Sequence, residues 1–289
     1  MLISIALPVI LTIIMFSLGL GLTLGDFARV YREPRGFWIG ALNQLVLLPS
    51  VAFFAATAFG LPPELGVGIM IIGVCPGSAL SNVASKFARG NVPLSVSLTA
   101  VFTLVSIVTV PPFVAFAVHY FTGASSPPVE VTNLGIRMFL LTAVPVGLGM
   151  ALARAMPSYI GLIKTWMGRL AVGLFIFVLL AALTQNWRLF AANIPALAPA
   201  LVTMNALQLG IGLLSSRLAR LNMSDATTVA IGTAIHNGTV GIAVGAMVAG
   251  STSGFPPTTL PTAIYSISVW LMTIPFMLWR RSVGSTSVW

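Results

Sequence analysis

Apolar runs of about twenty residues follow one another along the whole chain, separated by short polar segments. They begin near Leu2, Phe37, Leu65, Val92, Leu134, Leu170, Ala196, Thr227 and Ala263, which predicts nine membrane-spanning helices. Inside a bilayer only a helix or a closed barrel satisfies its own backbone. The runs lack strict alternation and are about twice the length of a barrel strand, so the expected fold is all-α and polytopic. Composition agrees, because 57% of the 289 residues are hydrophobic and only 7% are charged. A soluble domain cannot cover its surface with so few charges. The expected unit is one transmembrane domain over residues 1–289, with the lipid bilayer as its first partner.

The formal charge of +9 could suggest nucleic acid, but the basic residues sit singly or in pairs between apolar runs. They make no basic face, so no nucleic-acid partner is expected and the charge reads as a topology signal. With the N-terminus outside, the inner side takes Arg29, Arg32, Arg35, Lys86, Arg89, Arg154, Lys164, Arg169, Arg217, Arg220, Arg280 and Arg281. The outer side takes only Arg137 and Arg188. That bias puts the C-terminus in the cytoplasm of a multi-pass protein in the cell's inner membrane. Met1 to Gly25 has no basic n-region and exceeds a cleaved h-region, so it reads as a first span. Cys75 is the single cysteine, which excludes an internal disulfide. Pro157 to Gly168, with Tyr159, Lys164 and Trp166, reads either as an interfacial helix before the sixth span or as a loop with aromatic anchors. His119, beside Tyr120 at the outer end of the fourth span, reads as interfacial.

Polar residues within the spans gather in the second to fourth and again in the seventh to ninth. Asn43 and Gln44 in the second are matched by Asn205 and Gln208 in the seventh. Cys75 to Asn82 in the third is matched by Gly232 to Thr239 in the eighth, and Ser95, Thr99 and Thr103 in the fourth by Ser266, Ser268 and Thr273 in the ninth. The offset is an odd number of spans, so a structural repeat must be inverted in the membrane, as in many secondary transporters. Pro76-Gly77 predicts a break in the third span, since the freed backbone groups must be buried in protein or line a cavity. A second break is expected around Asn237-Gly238, with helix-packing glycines as the alternative. Ser95, Thr99 and Thr103 recur every four residues and form one polar stripe. A hard cation wants such oxygens, although Ser and Thr in membrane helices also bond back to their own helix.

Met15 to Leu20, Asp26-Phe27, Gln44 with Pro49, Cys75 to Thr99, and Asn237-Gly238-Thr239 together resemble the bile acid:sodium symporter family, in a bacterial-type member. The most specific piece is Cys75-Pro76-Gly77 followed by Ser81-Asn82-Val83 and Ala88-Arg89-Gly90-Asn91. The resemblance covers essentially the whole chain. It implies a core of helices over about 37–118 and 196–280 and a panel over about 2–25 and 134–184, with the substrate cavity between them. It implies one sodium site at Ser81, Asn82, Ser95 and Thr99. A second would use Gln44 with groups around Thr233, Ile235 and His236. Asn237 carries over as a substrate contact, and Asn82, His236 and Thr239 are candidates beside it.

The second half departs from the family pattern. The glutamate that normally serves both sodium sites is replaced by Gly232, and the family glutamine by His236. All five acidic residues, Asp26, Glu33, Glu64, Glu130 and Asp225, lie in loops or at span ends. A cation held at midplane without a counter-charge is costly. Four readings follow. The substrate carboxylate completes the sodium site; His236 carries a coupling proton in place of sodium; the protein is an uncoupled facilitator; or His236 is a neutral hydrogen-bonding residue.

The expected function is secondary transport of a small or amphipathic organic anion, with sodium as coupling ion, a proton as the alternative, and no other cofactor. The absence of Lys or Arg inside the spans argues for a monoanion. A related auxin-efflux-type carrier is the rival within transport. A membrane enzyme would need a nucleophile with a partnered base, and a lone Cys75 and His236 on different spans make a poor pair. A sensor would be expected to add a soluble domain, whereas only Ser282 to Trp289 follow Arg281.

Overall fold

The computed structural model describes residues 2–31, 34–123, 129–185, 187–250 and 255–283. Arg32 and Glu33, both assigned above to a loop, lie outside them. In chain order the main helices are α1 (Leu2–Gly19), α2 (Pro34–Ala58), α3 (Pro63–Val74), α4 (Ala79–Phe87), α5 (Val92–Thr122) and α6 (Val131–Ala155). They continue as α7 (Ile160–Gln185), α8 (Trp187–Leu218), α9 (Met223–Ala234), α10 (Gly238–Val248) and α11 (Leu260–Ser282). No strand occurs among the described residues, so the all-helical expectation holds. Six stretches are long and apolar enough to cross a membrane: α2, α5, α6, α7, α8 and Pro257–Ser282. Ala6–Gly19, Pro63–Val74 and Gly238–Val248 are apolar but shorter. Together these features make a multi-pass membrane protein.

Several helices begin earlier than hydropathy suggests. The eighth starts at Trp187 rather than near Ala196, and Pro195 and Pro199 lie inside it. Membrane helices tolerate such prolines because neighbouring groups satisfy the freed carbonyls. Pro157 to Gly168 is neither a separate interfacial helix nor a loop from Ile160 onward, where α7 runs without interruption to Gln185. No proline lies between those residues to break it. Within α2, a π-turn at Asn43–Leu47 widens the helix and leaves Asn43 and Gln44 buried.

The two interruptions have different causes. Pro76 forces the preceding residue out of helical conformation, and Cys75 is extended at φ −64, ψ 147. Ser78 then caps α4 by accepting a bond from Leu80 N at 3.2 Å. Between α9 and α10 no proline acts. Ile235 is extended, and Asn237 caps α10 by accepting from Val240 N at 3.2 Å. Gly238, expected within the break, is the first residue of α10. Its lack of a side chain serves packing, because a Cβ there would collide with Ser266 Oγ.

The breaks cross each other. Gly77 and His236 form an antiparallel bridge, with Ser78 N donating to Ile235 O at 3.3 Å and Asn237 N to Pro76 O at 2.8 Å. Groups freed from one helix are thus satisfied by the other, as burial in a membrane protein demands. Around this crossing, α2 packs on α3, α3 on α5, and α8 on both α9 and α11. On the other side α1 packs against α6 and α7. Gly19 and Gly149 allow the α1–α6 contact, since a Cβ on either would strike the opposing backbone.

Candidate functional site

Two of the cavities beside the crossing gather the expected site residues. The smaller, about 20 Å³, is lined by Gln44, Ser81, Ser95, Thr99, Gly232 and Thr233 among others. A space of that size holds roughly one water molecule or an ion of similar radius. Its polar lining is uncharged: hydroxyls, an amide and backbone. Beside it, Asn82 Oδ1 accepts from Ser95 Oγ at 2.7 Å and from Thr99 Oγ1 at 3.3 Å, and Ser85 Oγ donates to Ser95 Oγ at 3.3 Å. Ser81 Oγ donates to Ser78 O at 2.6 Å. The four residues of the first expected sodium site therefore come together. Thr103, the third member of the stripe, instead bonds back to Thr99 O at 2.7 Å.

The second expected set divides. Gln44 Nε2 donates to Cys75 O at 2.9 Å, and Thr233 Oγ1 donates to Val229 O at 2.7 Å while accepting from Asn43 Nδ2 at 3.0 Å. Both residues line the small cavity. Ile235 and His236 do not; they line the larger one. The Ile235 carbonyl already accepts from Ser78 N, and the His236 ring turns toward α8 and α11. There Nδ1 meets Cys75 O at 3.2 Å and Nε2 meets Gln208 Nε2 at 3.2 Å. Tyr265, absent from the sequence-based set, donates to Gln208 Oε1 at 3.0 Å and also contacts Ala234 O. A lone tyrosine in an apolar run carries little signal without its partners.

Gly232, where the family glutamate is missing, lines the small cavity, and nothing lies within 4 Å of a Cβ built on it. Among the described residues no His, Cys, Asp and Glu group could hold a metal ion. The uncharged oxygens of the lining are hard donors.

The larger cavity, about 680 Å³, lies between α1 and α7 on one side and the two crossing segments on the other. Asn82, Ile235, His236, Asn237, Gly238 and Thr239 form its polar end. Asn237 spends Oδ1 on capping α10 and leaves Nδ2 without a hydrogen bond among the described residues. The walls are apolar, including Leu18, Val96, Phe175 and Trp270. Lys86 and Lys164 also line this cavity. Sequence placed both lysines at span ends, which hid them from the site and removes the argument for a singly charged substrate. Arg280 is buried as well, but it bonds to Thr227 Oγ1 at 2.8 Å and Met223 O at 3.1 Å, away from the cavity.

Interrupted helices crossing in the middle of a bundle, with a small polar-lined pocket and a ligand-sized cavity beside it, define a membrane carrier. His236 meets the carbonyl of Cys75, not its thiol, so the two make no nucleophile and base. The profile of the Sodium Bile acid symporter family matches residues 8–193. The chain is 30% identical over 278 residues to the probable sodium/metabolite cotransporter BASS1 of Arabidopsis thaliana chloroplasts, covering 94% of this chain and 66% of that protein. An uncharacterized sodium-dependent transporter of Bacillus subtilis is 27% identical over 267 residues, covering 92% of this chain and 79% of its own length. The human ileal sodium/bile acid cotransporter is 28% identical over 238 residues, covering 81% and 67%. This chain belongs to the sodium bile acid symporter family, and it is a transporter rather than an enzyme.

Proposed function

We propose that the protein is a secondary transporter that carries an organic anion together with sodium, the anion in the large cavity and the ion in the small one. Asn82 carries this reading. Its Oδ1 accepts from Ser95 and Thr99 beside the small cavity, and its side chain also lines the large one. An anion bound against Asn82 and Asn237 would supply the negative charge that Gly232 does not. Sodium and substrate would then raise each other's affinity by one shared coupling factor. Relatives named for sodium with bile acids or metabolites support the ion and the broad substrate class.

In this reading the chain spans the membrane nine times, with α3 and α4 making one broken span and α9 and α10 another. The antiparallel crossing of the breaks supports an inverted repeat. The set α2 to α5 with α8 to α11 acts as a core that rocks against a panel of α1, α6 and α7. The basic ends face the cytoplasm.

A second reading is proton coupling through His236, whose Nδ1 faces the Cys75 carbonyl, an acceptor for the ring N–H in either protonation state. Uptake of labelled organic acids into proteoliposomes, driven separately by sodium and by proton gradients, tests both. Accumulation on the sodium gradient alone is expected. Equal, non-concentrative uptake under every gradient would overturn coupled transport.

A further inference from the structure

We propose that Lys86 and Lys164 form a second anion subsite in the large cavity, so that the preferred substrate is an elongated amphipathic diacid. This rests on the carrier reading above and narrows its substrate class. The polar end of the cavity, at Asn237 and the start of α4, would take one carboxylate. Lys86 lies seven residues beyond Ala79, the first residue of α4, a rise of roughly 10 Å at 1.5 Å per residue. A molecule that bridges the two ends must therefore be long, and the apolar walls between them suit a hydrocarbon body.

Among the described residues the two lysines are the only charged ones lining this cavity. Among the described residues no carboxylate lines the cavity beside them. Asp26 bonds to Thr23, Asp225 to Asn91 and Asn222, Glu130 to Asn133, and Glu64 opens α3. Neither lysine's ammonium group makes a hydrogen bond or ion pair among the described residues. Lys164 Nζ reaches the α1 side beside Gly21, 3.5 Å from where a Cβ would stand there. Membrane topology alone does not account for the placement. Arg29, Arg35, Arg89, Arg154, Arg169, Arg217 and Arg220 supply the basic bias without lining the cavity. Ammonium groups act as point charges without a preferred fork geometry, which suits the varied approach of a flexible chain end.

The test compares decanedioate with decanoate as stabilisers of the purified full-length protein in sodium and low ionic strength. Lys86→Gln, Lys164→Gln, the double variant and the double Lys→Arg variant are run beside wild type. Wild type is expected to bind the diacid about tenfold more tightly than the monoacid, as two exposed ion pairs permit. The ratio should fall to about one in the double Gln variant and persist in the double Arg variant. Equal binding of the two acids by wild type, or an advantage that survives the double Gln change, overturns the second subsite while leaving an organic-anion carrier standing. Binding of neither acid overturns both.

Discussion

His236 Nε2 lies 3.2 Å from the side-chain amide nitrogen of Gln208. An amide N–H facing a ring nitrogen requires a lone pair there, so the proton sits on Nδ1 and is donated to Cys75 O at 3.2 Å. In this arrangement the imidazole is neutral. Rotating the Gln208 amide end for end would place Oε1 against Nε2 and let both ring nitrogens donate. Gln208 Nε2 would then face the Tyr265 oxygen, whose hydroxyl already reaches Ala234 O. Both protonation states of His236 can thus be satisfied, through the Cys75 carbonyl and the Gln208 amide.

If His236 carries the coupling proton, uptake follows an imposed proton gradient without sodium. His236→Gln and Gln208→Leu should each abolish that response, the first by removing the proton and the second by removing the partner that accommodates it. Proton-driven uptake that persists in His236→Gln would assign the histidine to hydrogen bonding alone.

Ser95 and Thr99 both donate to Asn82 Oδ1, at 2.7 and 3.3 Å. Ser95→Ala with Thr99→Ala should remove two candidate sodium oxygens while leaving α5 helical. The expected result is about a tenfold rise in the sodium needed for half-maximal uptake, consistent with the loss of one charge-assisted contact or more. An unchanged sodium requirement would return the stripe to helix packing.

Much of this arrangement was legible because membrane helices obey strong constraints. Length and hydropathy mark the spans, and Pro76 marks one break through a local steric rule. The second break was harder to place, because it depends on capping by Asn237 and on pairing with the first break across the fold. The polar pattern shared by the two halves of the sequence is not matched contact for contact. Asn43 joins Ser215 and Thr233, whereas its counterpart Asn205 is buried with neither amide atom bonded among the described residues. In the sequence Lys86 and Lys164 read as topology signals, and only the packing of α4, α1 and α7 around one cavity puts both on its lining.

Topology can be checked on this background because Cys75, the single native cysteine, is buried. Cysteine at the exposed Glu64 position should react with an impermeant reagent from outside intact cells, and cysteine at the exposed Arg154 position should not. The reverse pattern would invert the proposed orientation. Gly36 is a poor choice for this test, since a Cβ there would press on Leu94 at 2.8 Å.

Asp225 accepts from Asn91 Nδ2 and Asn222 Nδ2, each at 2.8 Å, joining the segment before α5 to the segment before α9. Asp225→Ala should destabilise the protein by about 1–3 kcal/mol, because it leaves two amide groups without their charged acceptor. Thermal unfolding in detergent measures this. An unchanged midpoint would mean that water replaces the carboxylate at no cost.

Gly232→Glu bears most directly on the missing family glutamate. The position lines the small cavity, and a Cβ built there meets nothing within 4 Å, so the side chain has room to enter. In wild type the proposed counter-charge belongs to the substrate, and sodium alone should stabilise the protein little. The fixed carboxylate of the variant should let sodium bind without substrate, seen as a sodium-dependent rise in the unfolding midpoint that potassium does not reproduce. Substrate affinity should fall at the same time, since two anions would share one compensating cation. A variant that gains no sodium response, or that binds substrate as tightly as wild type, would show that the substrate's charge does not stand in for the glutamate.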